Sequence, residues 1–432
     1  MAQTQEPPPI MHSNQRRTAK GPTTNTHDVI IIGGGLAGGT LAALLGTHGI
    51  HVACIDRDNP KATLDAGFDG RTTAISWGSQ KILRAAGVWD ALEPHGCAIR
   101  DIEILDGDSP TLLHFAADEV GGESFGWIIE NRLIRSALFD RMAALKTVDH
   151  IAPAGALSFE RDDDSISIIL DDGRMLSAAL LIGADGRGSK TREWMGIEQR
   201  FWAYDQTAIV CTARHEAPHN HIAVEHFRSE GPFAILPMQD DADGTHRSSI
   251  VWTVHGKDVN DILAYSQDVF DAALTARFPD RYGSVQQMGK RFSFPLTLNH
   301  AHDYIADRMA LVADAGHGIH PIAGQGLNLG LRDIAVLADL IVDAHAAGDD
   351  IGHADLLQSY QRQRRADNMA MAGTTDTLNK LFSNRSRTLS LARKIGLRAV
   401  SRIKPVKNFF MHQAMGAAGL LPDLIRDAQR KI

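Results

Sequence analysis

Three glycines and one aspartate carry the first recognisable chemistry. Gly33, Gly35 and Gly38 lie in the run Gly33-Gly-Gly-Leu-Ala-Gly38. At this spacing the first glycine permits a tight turn, the second lets backbone approach a pyrophosphate, and the third lets a helix pack closely on a strand. Asp56 lies 18 residues beyond Gly38, where a carboxylate can accept both hydroxyls of a ribose, and Arg57 follows it. Such residues work only if regular elements hold them. Asp28 to Ile32 is a β-branched run of the length of a buried parallel strand, Leu36 to Leu45 reads as an Ala/Leu helix, and His51 to Ile55 as a second strand. Together they make a β-α-β unit whose helix would aim its N–H groups and dipole at the pyrophosphate.

That unit alone does not separate NAD from FAD. Two later blocks bear on the choice: Leu180-Leu-Ile-Gly-Ala-Asp185-Gly-Arg-Gly-Ser189, and Leu311-Val-Ala-Asp314-Ala-Gly-His317 running on through His320-Pro321-Ile-Ala-Gly324-Gln325-Gly326-Leu-Asn328 to Asp333. Each places a carboxylate just after a buried strand. In the second, a Gly-rich loop leads into a helix, which suits donation of backbone N–H bonds to a pyrimidine-like carbonyl that gains negative charge.

With these three motifs in this order, the chain from Asp28 to about Asp367 resembles the FAD-dependent aromatic hydroxylases of the para-hydroxybenzoate hydroxylase fold. The resemblance implies an α/β architecture: a Rossmann-like FAD-binding domain interleaved with a β-sheet substrate domain, plus a helical C-terminal tail. It also implies roles. Asp56, with Arg57 beside it, would serve the adenosine ribose; Arg71, the diphosphate region; Asn131, a polar flavin contact; Asp185, both FAD and a reduced nicotinamide donor, or else the local turn. Asp314 would bind the ribityl chain, Pro321 would lie over the isoalloxazine, and Gly324, Gln325, Gly326 and Asn328 would face its pyrimidine end. One departure is visible: the family usually has Gly-Asp where this chain has Ala313-Asp314, which adds a methyl near the cofactor backbone.

The likeness sharpens toward the hydroxylases of ubiquinone biosynthesis through His320 to Asp333, Glu225 to Pro237, and the tail from Leu381 to Gly416. It implies a polyprenylated phenol as substrate and dioxygen as co-substrate, reacting through a flavin C4a hydroperoxide. Electrons would come from NAD(P)H or a protein reductant, and a quinone-synthesis complex is an implied partner. No catalytic base stands out; His226 and Tyr204 are the candidates for polarising the phenol. Two rivals stay open, a flavin-dependent reductase of isoprenoid lipids and a non-catalytic scaffold.

Composition agrees with a folded protein of two or three units: 432 residues, 44% hydrophobic and 22% charged. A net charge of −8 argues against nucleic acid as a partner. Three cysteines without a Cys-x-x-Cys pair indicate neither a disulfide framework nor a thiolate zinc site, so no metal is expected. His215, His219 and His221 read as a solvated polar turn. No window is apolar enough for a spanning helix, and the compartment implied is cytoplasmic.

The expected division is a disordered tail over 1–26, FAD-binding segments over 27–98, 127–199 and 296–370, substrate-domain segments over 99–126 and 200–295, and a helical basic region over 371–432. Residues 384–432 hold seven Arg and four Lys against two Asp, so the −8 divides into +9 there and −17 elsewhere. Leu389, Ala392, Ala399, Val400 and Ile403 share a helical stripe with Lys394, Arg398 and Arg402 nearly opposite, and Pro405 is expected to end that helix. Such a basic helix suits peripheral contact with the inner face of the cytoplasmic membrane.

Overall fold

A computed structural model describes residues 26–65, 70–107, 113–228, 230–318, 325–382, 403–416, 422 and 425. Of the expected N-terminal tail only Thr26 is described, and the stripe over 389–402 and His320, Pro321 and Gly324 fall outside these residues.

The β-branched opening forms the strand Val29–Ile32, which lies at the centre of a six-stranded sheet. Across that sheet the order is Ile305–Ala306, Met309–Leu311, Leu180–Gly183, Val29–Ile32, Val52–Ile55 and Val148–Ile151. All but the first pairing are parallel. Val29 and Ile31 pack in a core with the helices Leu36–Thr47, Asn131–Ala144 and Gln325–Ala347, while Ile30 packs in a second core on the other face. Burial on both faces is why the strand is apolar without alternation.

The apolar run over 178–182 is divided between two strands. Met175–Ala178 closes a three-stranded antiparallel sheet with Ile166–Leu170 and Ala156–Arg161, whereas Leu180–Gly183 joins the parallel sheet. Continuous hydrophobicity hid the break because both pieces are buried.

The second large body is an eight-stranded sheet ordered His317–Gly318, Val285–Ala301, Gln199–His215, His246–His255, Gly231–Pro237, Ile222–Arg228, Asp101–Asp106 and Leu113–Ala116. One face packs on the helices Val259–Leu263 and Gln267–Thr275 through Phe233, Trp252, Phe270 and their neighbours. The other face looks toward a small sheet of Thr72–Ser76, Gly126–Glu130 and Cys97–Ile99. That small sheet bridges the two bodies: the Thr72 hydroxyl donates to Ser249 at 2.8 Å, while the Asn328 amide donates to the Ala74 carbonyl at 2.8 Å.

The helix that Pro405 is expected to end lies outside the described residues. Pro405 itself stands in the first turn of Lys404–Ala414, where a missing N–H costs nothing. Met411 and Met415 bury this helix against the bridging sheet, and Lys407 pairs with Glu119 at 2.6 Å. No helix among the described residues is long and apolar enough to cross a membrane.

Candidate functional site

The Gly-rich turn is shaped by collisions that side chains would cause. Gly33 has φ +105°, and a Cβ there would lie 2.4 Å from the Ala184 carbonyl oxygen. A Cβ on Gly38 would lie 1.8 Å from the Gly33 carbonyl oxygen, so helix and turn meet backbone to backbone. Gly35 differs, because a Cβ there would meet nothing within 4 Å. Gly35 also caps the helix Leu36–Thr47 with no side-chain hydrogen bond. An uncapped helix N-terminus facing open space is a site for a phosphate group.

Asp56 follows the second strand. Its Oδ1 accepts the Asp58 N–H at 2.9 Å, and Gly34 stands close enough that a Cβ would reach Oδ2 at 2.9 Å. Arg57 beside it is exposed. His150 completes this end and was not singled out from sequence. Its ring stacks on Phe139 at 5.3 Å, its Nε2 is buried without a partner, and burial pushes its pKa down while Asp56 pushes it up. The signal is nonlocal, since His150 reaches Asp56 only through the pairing of Val52–Ile55 with Val148–Ile151.

Asp185 spends its oxygens locally. Oδ1 accepts the Ser189 hydroxyl, and Oδ2 accepts the Thr191 N–H at 3.0 Å and its hydroxyl at 3.1 Å. It therefore secures the turn into Lys190–Trp194. Asp314 is paired across the site: its Oδ2 accepts from Arg187 Nε at 3.1 Å, and the same guanidinium donates to the Thr297 hydroxyl at 2.9 Å.

The Ala313 departure has a compensating neighbour. Ala313 has φ +53°, a left-handed conformation. Its methyl lies toward Gly330, where a Cβ would come within 2.5 Å of it. The Ala313 N–H donates to Asp333 Oδ2 at 3.0 Å. Asp333 is fully buried and also receives His317 Nε2, Arg364 Nε at 2.8 Å and Asn368 Nδ2 at 3.0 Å. Burial works to raise this carboxyl, but His317 and Arg364 hold it well below the usual carboxylate range.

Gln325 and Gly326 open the helix Gln325–Ala347, and a Cβ on Gly326 would meet nothing within 4 Å. Asn328 is buried and pins the bridging sheet, accepting the Ser76 N–H at 3.0 Å as well as donating to Ala74. Asn131 begins its helix with its N–H on the Arg71 carbonyl at 3.0 Å and its Oδ1 accepting the Thr73 hydroxyl at 2.6 Å. Thus Arg71, Asn131 and Asn328 converge on one strand, Thr72–Ser76.

The two candidates for polarising a phenol have different partners within the protein. His226 pairs with Phe233 and Phe233 with Trp252, a row whose members pack on the helices of the far face. Its Nε2 faces the Gly107 carbonyl at 2.7 Å. The Tyr204 hydroxyl donates to Asp376 at 2.8 Å, and burial together with Asp376 pushes its pKa up.

The histidines expected in a solvated turn are partly buried. His215 and His219 are enclosed, and His219 and His221 approach Cys97 Sγ at 3.9 and 3.7 Å. Their ring nitrogens already serve the backbone: His219 Nε2 faces the Met238 carbonyl at 2.9 Å and His221 Nδ1 faces the Ala98 carbonyl at 3.1 Å. His219 Nδ1 also accepts the His221 N–H at 3.0 Å. A metal would have to break these bonds, because a ring nitrogen that donates a proton has no lone pair for it.

Open space at Gly35 and Gly326, a bare helix N-terminus, and carboxylates at Asp56 and Asp314 fit a long cofactor with a diphosphate centre. The model of a family described as an FAD binding domain matches residues 26–375. Ubiquinone hydroxylase UbiL of Rhodospirillum rubrum is 46% identical over 94% of this chain and 94% of its own length. The 3-demethoxyubiquinol 3-hydroxylase of Escherichia coli is 33% identical over 91% of this chain and its whole length. Among solved structures, p-nitrophenol 4-monooxygenase PnpA from Pseudomonas putida superposes with a TM-score of 0.74 at 15% identity, covering 91% of this chain and 99% of its own.

Proposed function

The chain belongs to the FAD-binding family of flavin-dependent monooxygenases, and from that premise we propose that it hydroxylates the aromatic ring of a polyprenyl-phenol on the route to ubiquinone. The observation that carries this reading is the 46% identity to a ubiquinone hydroxylase along nearly the full length of both chains. Bound FAD supplies the activation of dioxygen, one atom of which enters the ring while the other leaves as water. Electrons come from NAD(P)H or a protein reductant.

The chain's own residues would hold, orient and enclose. The Gly33–Gly38 turn and the N–H groups of Leu36–Thr47 would take the pyrophosphate, and Asp56 and Arg57 the ribose end. Asp314, with Arg187 at its oxygen, would take ribityl hydroxyls, and Pro321 would lie over the isoalloxazine; Gly324 and the start of Gln325–Ala347 would face the pyrimidine end, where the helix dipole favours developing negative charge. Asn131, Asn328 and Arg71 would act through the bridging strand, whose position sets the distance between cofactor and the large sheet. Asp185 would act by keeping the turn that presents Arg187.

A substrate with a polyprenyl tail resides in a bilayer, and the C-terminal region suits delivery from one. On Lys404–Ala414, Met411 faces inward while Val406, Phe409 and Phe410, with Ile403 just before the helix, are exposed. This apolar face lies within the segment that carries +9. An anionic bilayer would satisfy both features. Replacing Phe409 and Phe410 with Ser should reduce co-sedimentation with phosphatidylglycerol vesicles several-fold at unchanged FAD content; unchanged co-sedimentation would remove this part of the reading.

The function itself is tested in a strain lacking the gene. Such cells should accumulate a prenylated precursor missing one ring hydroxyl, whereas a normal quinone profile would reject the assignment.

A further inference from the structure

The geometry points to Glu225 as the catalytic base that accepts the proton of the substrate's phenolic hydroxyl. This rests on the aromatic-hydroxylase reading above and adds a residue to it.

Glu225 stands opposite Ala234, Ala234 opposite Val251, Val251 opposite Val210, and Val210 opposite Phe292; on its other side Glu225 stands opposite Ile104. Residues paired across a sheet share a face, so these six form one row. Two contacts show which way the row looks. Ser249, two residues from Val251 on the same strand and face, accepts the Thr72 hydroxyl, and the Phe292 ring packs so tightly on Gly70 that a Cβ there would come within 2.6 Å. The row therefore faces the Gly70–Ser76 segment, the same segment that Asn328 pins from the cofactor side. His226, one residue on, is turned to the opposite face.

The row is only partly covered, and its open stretch is read as a cleft. At Ala223, one step earlier on the same face, the space is occupied by Ile128, Met411 and Met415. Ile104 packs against the edge of that core, whereas Val251, Val210 and Phe292 keep part of their surface open despite their positions in mid-sheet. Apart from Glu225 the row is entirely apolar. It is a wall suited to an aromatic ring and a prenyl chain, with one carboxyl set into it.

That carboxyl has no structural employment. Glu225 makes no hydrogen bond or ion pair with any described residue, and burial alone pushes its pKa up to about 7. A carboxylate in an apolar wall without a partner is destabilising. A phenolic hydroxyl arriving with the substrate supplies the missing donor. When the phenol O–H bond breaks, the proton forms a carboxylic O–H on Glu225, and the electron pair left on oxygen raises the electron density of the ring carbons ortho and para to it. The proton is returned as the product leaves. A base poised near neutral pH is matched to this task. The charged groups on the elements packed around Glu225 are Asp106 on the adjoining strand, Arg247 with Glu130 farther along the cleft, and Arg71 at the head of the bridging strand.

The test uses the FAD-loaded full chain with 2-geranylphenol as probe, following product by incorporation of labelled dioxygen between pH 5.5 and 9. For the wild type, kcat/KM should rise with pH through about 7 as the carboxylate forms. Glu225→Gln should lower kcat/KM by about 10²-fold or more and abolish that rise, with FAD content unchanged. Glu225→Asp, which keeps a carboxyl one methylene shorter, should keep the rise at a reduced rate, and it carries the test if the Gln variant does not fold. A Gln variant that retains the wild-type rise overturns the assignment, as does an Asp variant of undiminished kcat/KM. A wild-type protein that incorporates no label overturns the hydroxylase reading itself, and Glu225's role with it.

Discussion

Two acidic side chains sit inside this molecule in opposite circumstances. Asp333 is fully buried and met on every side by the Ala313 N–H, His317, Arg364 and Asn368. Glu225 lies in an apolar wall and, among the described residues, has no hydrogen-bond or ion-pair partner. The first is held far below the usual carboxylate range, the second is pushed up to about 7. A buried charge whose partners are all internal is scaffolding, here clamping the strained Ala313 that presents Asp314. A half-buried charge in an apolar wall, with no partner among the described residues, is destabilising to the fold and is explained by what binds there.

The comparison can be broken from either side. The largest effect is expected at Asp333: Asp333→Asn leaves Arg364 and His317 without their counter-charge and should destabilise the protein by about 3–5 kcal/mol, with loss of bound FAD, in chemical denaturation followed by fluorescence. A change below about 1 kcal/mol would mean that the network is dispensable.

The opposite sign is expected at Glu225. Its folded-state pKa is raised, so the wild type matches Glu225→Gln below about pH 4.5 and falls behind it as pH rises through about 7. At pH 8 the Gln variant should be more stable by up to roughly 3 kcal/mol, partial opening of the cleft making this an upper bound. A variant that loses activity while gaining stability separates chemistry from structure; one that loses both would make Glu225 a structural residue.

The smallest effect is expected at Ala313, whose φ of +53° suits glycine. Ala313→Gly relieves left-handed strain and empties the contact with Gly330, for a net gain of about 1 kcal/mol or less in thermal denaturation. A marked loss would show that the methyl is needed against Gly330.

What was legible in the sequence follows the range of the interactions. The Gly33–Gly38 turn, Asp56 and the Asp314 loop could be found because strand, turn and helix signals lie within a few residues of one another. The division at Ala179 was hidden, since two buried strands in sequence share one apolar pattern. Choosing between Glu225 and His226 was beyond sequence alone: alternation says that they face opposite ways, but only register with Ala234, Val251 and Ser249 says which of them faces the cleft. Two of the partners of Asp333, Arg364 and Asn368, stand on one turn of a helix more than 30 residues away. That Pro405 opens Lys404–Ala414 was not legible, because a proline that stops one helix and one that starts the next look alike without the chain on either side.

The most direct test of the account is the fate of dioxygen. Purified FAD-loaded protein, given NADH, 2-geranylphenol and labelled dioxygen, should yield a phenol carrying one additional, labelled oxygen atom. Consumption of NADH with no label in the ring would contradict it.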